Sequence, residues 1–173
     1  MRIPLMTRAA AALLALAVGT AACSSSNTPA TTTTTKPLNP TTAQADIGAA
    51  YNTLFNFSVN STTEKLAVVQ NGSQVKTALS QALASPLAKG SGGARVDSSL
   101  ILYGEGCSTQ KLPSPCARVT YDILGTSGTP SLAGQTGYAV YQNGKWLVAK
   151  VTICGLLDLF YQASGKSGSP PGC

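Results

Sequence analysis

The sequence predicts an α+β domain in which helices pack on one face of a curved antiparallel sheet. Apolar residues recur at helical spacing from Ile47 to Leu83, then switch to a period of two from Val96 onward. Asn143-Gly144, set between two alternating runs, marks an antiparallel hairpin with a type I′ turn. Helices first and strands after is the order of a segregated α+β layer arrangement rather than of βαβ units.

The first helix is expected to start at Pro40-Thr41-Thr42. Its stripe is Ile47, Ala50, Tyr51, Leu54 and Phe55, at i, i+3, i+4, i+7 and i+8. Ser61 and Glu64 form a capping box that opens a short second helix, with Leu66 and Val69 turned inward. Asn71-Gly72 supplies a left-handed stop. A third helix starts near Ser73, buries Val75, Leu79, Ala82 and Leu83, and is limited by Pro86. Lys89 to Gly93 reads as a loop.

Four strands follow. In the first, Val96, Ser98, Leu100 and Leu102 alternate with Asp97, Ser99, Ile101 and Tyr103. In the second, Val119, Tyr121 and Ile123 alternate with Arg118, Thr120 and Asp122. The third carries Tyr138 and Val140 against Ala139 and Tyr141, and the hairpin returns over Lys145 to Val151, led by Trp146. A short helix is expected over Leu156 to Tyr161. Gly, Ser and Pro then run to Cys173.

With 173 residues the chain has room for one domain and its appendages. The spacing divides it into a signal peptide (1–22), a lipidated Cys23 with a Thr/Ser/Pro tether (23–42), the α+β domain (43–165) and a C-terminal tail (166–173). Arg2 and Arg8 precede an apolar run from Ala9 to Val18, which is too short to remain a membrane span and has no polar face. The junction Gly19-Thr20-Ala21-Ala22-Cys23 resembles a bacterial lipobox, with Thr20 in the place of the usual Leu. That resemblance implies that Cys23 is acylated, with palmitate-type chains, and becomes the first residue of a lipoprotein. Several acyl chains make a stable anchor. Sixteen of the nineteen residues 24–42 are Ser, Thr, Asn or Pro, with too little apolar surface to offset the entropy of ordering. As a flexible tether they reach roughly 25 Å. The expected location is therefore the outer face of the cell membrane, in a bacterial envelope. In that setting Asn56-Phe57-Ser58, Asn60-Ser61-Thr62 and Asn71-Gly72-Ser73 serve turns and caps rather than N-glycosylation.

Five cysteines become four once Cys23 is acylated. An even number in an exported chain reads as disulfides, and three pairings are possible. The local one, Cys107 with Cys116 and Cys154 with Cys173, is favoured: Cys107 and Cys116 flank a Pro-containing loop between two strands, and Cys154 follows the last strand.

Composition excludes several chemistries. The chain contains no His, which removes Ser-His-Asp and Cys-His machinery and His-ligated zinc. No C-x-x-C spacing occurs, so no metal site is expected, and no cofactor either. Gly165-Lys166-Ser167 echoes the end of a P-loop, but Phe160 stands where the leading Gly must be. Without Arg2 and Arg8, ten Lys/Arg remain against six Asp/Glu, a net +4. The basic residues are scattered singly, so nucleic acid is not an expected partner.

The order of features resembles the mycobacterial low-molecular-weight antigen MTB12-like family. The resemblance lies in Leu54-Phe55-Asn56-Phe57, the Lys65 to Gly72 segment, Tyr138-Ala139-Val140-Tyr141, Asn143-Gly144-Lys145-Trp146 and Leu156-Leu157, and covers about 40–162. It implies a small NTF2-like, cystatin-like cone in which a bent sheet cradles a long helix. It also implies an exported or envelope protein without an assigned activity. The four domain cysteines depart from the simplest pattern of that family.

Two uses of such a cone are open. Side chains fill it, and an envelope protein or other partner meets its outer surface; this is the expectation, given the few aromatics available to build a core. Alternatively a cleft holds a small apolar or amphipathic ligand, as in a lipid carrier. Tyr121, Tyr138 and Trp146 are then the lining residues, and Lys150, in the alternation of Trp146 and Val148, anchors an anion at the mouth. Cones of this type also host isomerases, which require a carboxylate and a hydrogen-bond donor inside. The strand-region carboxylates are Asp97, Glu105 and Asp122, and the alternation turns Asp97 and Asp122 to water. No catalytic residue is therefore assigned and an enzyme is not expected.

Overall fold

The structure, a computed structural model, describes residues 38–173. The expected signal peptide, Cys23 and most of the expected tether lie outside the described residues. The first helix, α1 (Pro40–Phe55), starts within the stretch read as the end of the tether. Asn39 caps it, its side-chain oxygen accepting from the amides of Thr41 (2.9 Å) and Thr42 (3.3 Å), with Pro40 at the first position. Its buried stripe is Ala43, Ile47, Ala50, Tyr51 and Leu54.

Helix α2 (Thr62–Ala67) opens on Ser61, whose hydroxyl accepts from the Glu64 amide at 3.2 Å. Asn71 adopts the left-handed conformation at φ 52°. Gly72 then begins a 3₁₀ turn (Gly72–Val75) that runs into α3 (Lys76–Leu83). Only Gly fits at position 72, because a β-carbon would overlap the Leu66 carbonyl oxygen. Pro86 both limits α3 and starts a further turn of helix, α4 (Pro86–Lys89).

The sheet comprises β1 (Ser91–Leu102), β2 (Cys116–Gly125), β3 (Pro130–Gln142) and β4 (Lys145–Val148) in the order β1-β2-β3-β4, all antiparallel. A single turn, α5 (Glu105–Ser108), lies between β1 and β2, and α6 (Lys150–Ala163) follows β4. The long helix α1 packs against β1 and β4 on the concave side of the curled sheet, giving the cone-like α+β fold.

Three local features differ from the sequence expectation. The expected loop at 89–93 is largely strand: β1 already starts at Ser91, held to the end of α1 by a bridge between Asn56 and Gly92. Asp97 is an extra residue in β1, so Val96 pairs with Tyr121 but Ser98 pairs with Thr120. That bulge reverses the alternation and sends Leu100 and Leu102 to the convex face, while Ile101 joins the core. The strand expected to reach Val151 stops at Val148, where the Val148 amide donates to the Val68 carbonyl at 2.8 Å. Lys150 is instead the first residue of α6, its amide bound to Gln70 Oε1 at 3.1 Å, so the last helix is longer than Leu156–Tyr161.

The main core fills the concave side. Tyr51 is fully buried, with its ring 4.7 Å from that of Tyr121 in an edge-on contact, and Phe55 stacks on Tyr121 at 5.8 Å. Val119, Ala139, Trp146, Val148, Leu79 and Leu157 complete the layer. A second, smaller cluster sits on the convex side, where Cys107, Leu112, Cys116, Val140, Leu147 and Ala149 pack under the β1–β2 connection.

Candidate functional site

A binding or catalytic pocket in a cone of this kind needs polar groups aimed into its concave side, so the fate of each candidate side chain decides the chemistry. Tyr121 and Trp146 do point inward, but as packed core residues, 2% and 4% exposed. Burial pushes the Tyr121 hydroxyl up to about 12, and it also raises Tyr51, with Tyr121 adding to the effect and the neighbouring Thr152 hydroxyl opposing it. The Tyr51 hydroxyl donates to the Tyr138 carbonyl at 3.0 Å, so it is satisfied without a ligand.

Tyr138 was expected to line the inside, with Val140 in the same alternation, and neither does. Tyr138 pairs with Arg118 and Val140 with Cys116, and both side chains pack with the convex cluster; Ala139 takes the inward position. Gly137 explains the inward face here: α6 crosses so close that Thr152 Cγ2 would lie 2.6 Å, and the Tyr51 hydroxyl 2.9 Å, from a β-carbon. Thr152 also seals the strand, its hydroxyl accepting from the Tyr138 amide at 2.7 Å and donating to the Tyr138 carbonyl at 3.1 Å.

Lys150 does not reach the cone either. The strand that would have turned it inward ends two residues earlier, and its ammonium donates to Gln74 Oε1 at 2.7 Å. The four residues proposed from the sequence as a ligand set, Tyr121, Tyr138, Trp146 and Lys150, therefore occupy three separate environments.

None of the strand-region carboxylates enters the concave side. Asp97 sits on the β1 bulge, 3.1 Å from Arg95 Nε and largely exposed, and Glu105 is exposed at the start of α5. Asp122 was expected in water but is 5% exposed. The register shift between Tyr121 and Ile123 adds a residue to β3 and brings the Gly134 amide to Asp122 Oδ1 at 2.8 Å. Arg95 Nη2 meets Oδ2 at 2.6 Å, so the carboxylate is fully engaged as a brace across three strands.

The cysteines pair locally, as favoured. Cys107 and Cys116 stand with sulfurs 2.15 Å apart and Cys154 and Cys173 with sulfurs 2.05 Å apart, at Cα separations of 5.8 and 5.5 Å.

The polar centre that sequence reasoning missed is Lys65. It is 1% exposed, and its ammonium donates to the carbonyls of Thr53 (3.0 Å), Leu54 (2.8 Å) and Asn56 (2.7 Å) at the end of α1. Those of Thr53 and Leu54 are carbonyls that a helix terminus leaves unpaired, and a cation is the favourable charge there; that of Asn56 also accepts the Val59 amide at 3.1 Å. Burial lowers its pKa to about 8. Its stem borders a cleft of about 240 Å³ walled by Phe57, Val59, Asn60, Thr62 and Leu83. No local sequence signal marks it: Lys65 stands beside Leu66 in a helix of only six residues, Thr62–Ala67, too short for a periodic stripe to show which face is buried.

A curled sheet closed by a long helix, with a filled concave side and two disulfide-bridged cysteine pairs, defines a small α+β cone. The model of the low molecular weight antigen MTB12 C-terminal domain matches residues 39–164. The chain belongs to the MTB12 antigen family, which places it among secreted antigens of unassigned function. Neither the curated proteins nor the solved structures give a match. Among the described residues no helix is long and apolar enough to cross a membrane.

Proposed function

We propose that the chain is a non-catalytic lipoprotein of the cell envelope, anchored through an acylated Cys23, whose partners meet the outside of the cone. The observation that carries this reading is the occupancy of the concave side: Tyr51, Tyr121 and Trp146 fill the space where a ligand or substrate would sit, and Asp97, Glu105 and Asp122 are all placed elsewhere. The anchoring half rests on sequence, on the basic and apolar start and the Ala21-Ala22-Cys23 junction. The Thr/Ser/Pro stretch then holds the domain off the bilayer, and a net +4 adds a mild attraction to anionic surfaces.

A second reading, the binding of a small apolar ligand, is favoured by one feature, the cleft beside Lys65 with Phe57, Val59 and Leu83 in its walls. A mass spectrum of the organic extract of protein purified from its native envelope separates the two. No stoichiometric extracted species is expected, since the acyl chains of the proposed anchor are covalent and stay with the protein. One extracted lipid per chain, lost in Leu83→Lys, would replace the first reading with the second.

A further inference from the structure

The two disulfides differ in their surroundings. Cys107 and Cys116 are both fully buried, covered by Leu112, Val140 and Leu147. Cys154 is half-buried on α6, and Cys173 is exposed. Between them the chain leaves α6 with Gly165 at φ 69° and returns along α3 without regular structure. The Lys166 ammonium donates to Gln81 Oε1 at 3.2 Å and lies 4.8 Å above the Tyr161 ring. Pro170 is buried. Gly172 passes so close to the Gln74 carbonyl that a β-carbon would overlap it. The segment thus borders a narrow crevice of about 60 Å³ between α3 and α6, lined by Ala78, Ala82, Leu157 and Phe160.

We propose that Cys154–Cys173 is a thiol-exchange site for small thiols and that residues 164–173 form a strap which the exchange releases. A low-molecular-weight thiolate attacks the sulfur of Cys173. The S–S bond breaks, Cys154 departs as a thiolate and takes a proton from water, and a mixed disulfide remains on Cys173. A second thiolate attacks the external sulfur of that mixed disulfide, freeing Cys173 and forming the small-molecule disulfide. Two electrons pass from two external thiols to the protein pair. Access to a sulfur governs such attack. Cys173 is an exposed residue and Cys154 a half-buried one, whereas Cys107 and Cys116 are fully buried and must wait for the convex cluster to open. Once the bond is cut, the strap beyond its bonds to the end of α6 is held by Lys166, Pro170 and Gly172, and the crevice between α3 and α6 loses its cover.

The test uses the intact chain with reduced glutathione, trapping by iodoacetamide and peptide mass mapping. The expected result is glutathione on Cys173 and the alkyl group on Cys154, formed at least about tenfold faster than any change at Cys107 or Cys116. Hydrogen exchange on the same sample should rise in 164–173 and along α3 and stay unchanged in β2 and β3. Cys173→Ser, without reductant, should show the same exchange pattern. Equal rates at the two pairs overturn the exchange site. Unchanged protection of 164–173 after the bond is cut overturns the strap.

Discussion

The ammonium of Lys65 lies 2.7 Å from the carbonyl oxygen of Asn56, so one residue of α2 terminates α1. The contact ties two residues nine apart in the chain, and no acidic side chain takes part in it. The charge is balanced by the partial negative end of the helix alone.

Lys65→Met keeps the stem and removes the donor. The Thr53 and Leu54 carbonyls then lose this donor and the Asn56 carbonyl keeps only the Val59 amide, and a loss of about 2–4 kcal/mol is expected in a urea titration. The same residue gives a pH signature. Its native pKa of about 8 lies below its ordinary 10.5, so between those values the unfolded chain binds a proton that the native chain has released. Stability therefore rises with pH from about 8 toward 10.5. Tyr121, with its hydroxyl raised from 10.0 to about 12, acts oppositely above pH 10, where the unfolded tyrosine ionises first. Wild type should gain stability from pH 8 to pH 9.5, and Lys65→Met should be flat across that interval. A rise of the same slope in both proteins would remove Lys65 as its source.

Gly137→Ala places a methyl group 2.6 Å from Thr152 Cγ2 and 2.9 Å from the Tyr51 hydroxyl, between a strand and a helix that cannot both yield. A cost of about 2–3 kcal/mol is expected. Gly155→Ala in α6, where a β-carbon has no neighbour within 4 Å, should instead gain about 0.5–1 kcal/mol. Thermal melts of the two variants beside wild type check the pair, since the shifts must have opposite sign.

Cys23→Ala removes the proposed acyl acceptor. The variant is expected in the culture medium and in the aqueous phase of a detergent partition, with wild type in the detergent phase. Retention of the variant with membranes would assign the anchoring to something other than Cys23.

Much of the fold was legible because its signals are local. The stripe of Ile47, Ala50, Tyr51 and Leu54 is one helical face, Ser61 caps α2, and Asn143-Gly144 makes the β3–β4 turn. The local cysteine pairing was legible for the same reason: each pair spans a short stretch that a hairpin or a helix end brings together. What stayed hidden depends on pairing between strands. The Asp97 bulge inverts every side chain after it in β1, and no feature of the local alternation marks it. The face of Tyr138 is fixed by its register with Arg118, and the burial of Asp122 by an extra residue in β3. The end of β4 is set from outside as well, by Val68 and Gln70, eighty residues upstream of Val148 and Lys150. The candidate site was misread at these same points, because Tyr138 and Lys150 inherit their positions from a register and a strand end that only the assembled sheet determines.

Strand β3 runs for 13 residues, while β4 has only 4 and pairs with its last part. Ser131 to Thr136 consequently face solvent along a flank with no neighbouring strand. A bare flank of that length is ordinarily an invitation to aggregation, since any extended segment can add to it. Here Pro130 opens the stretch without an amide proton, Gly134 turns out of line at φ 66°, and two register shifts against β2 break its straightness. An incoming strand finds no continuous ladder to copy. The irregularity that buries Asp122 on one side thus protects the domain on the other: copies crowded together can present this flank to each other without seeding a cross-β stack.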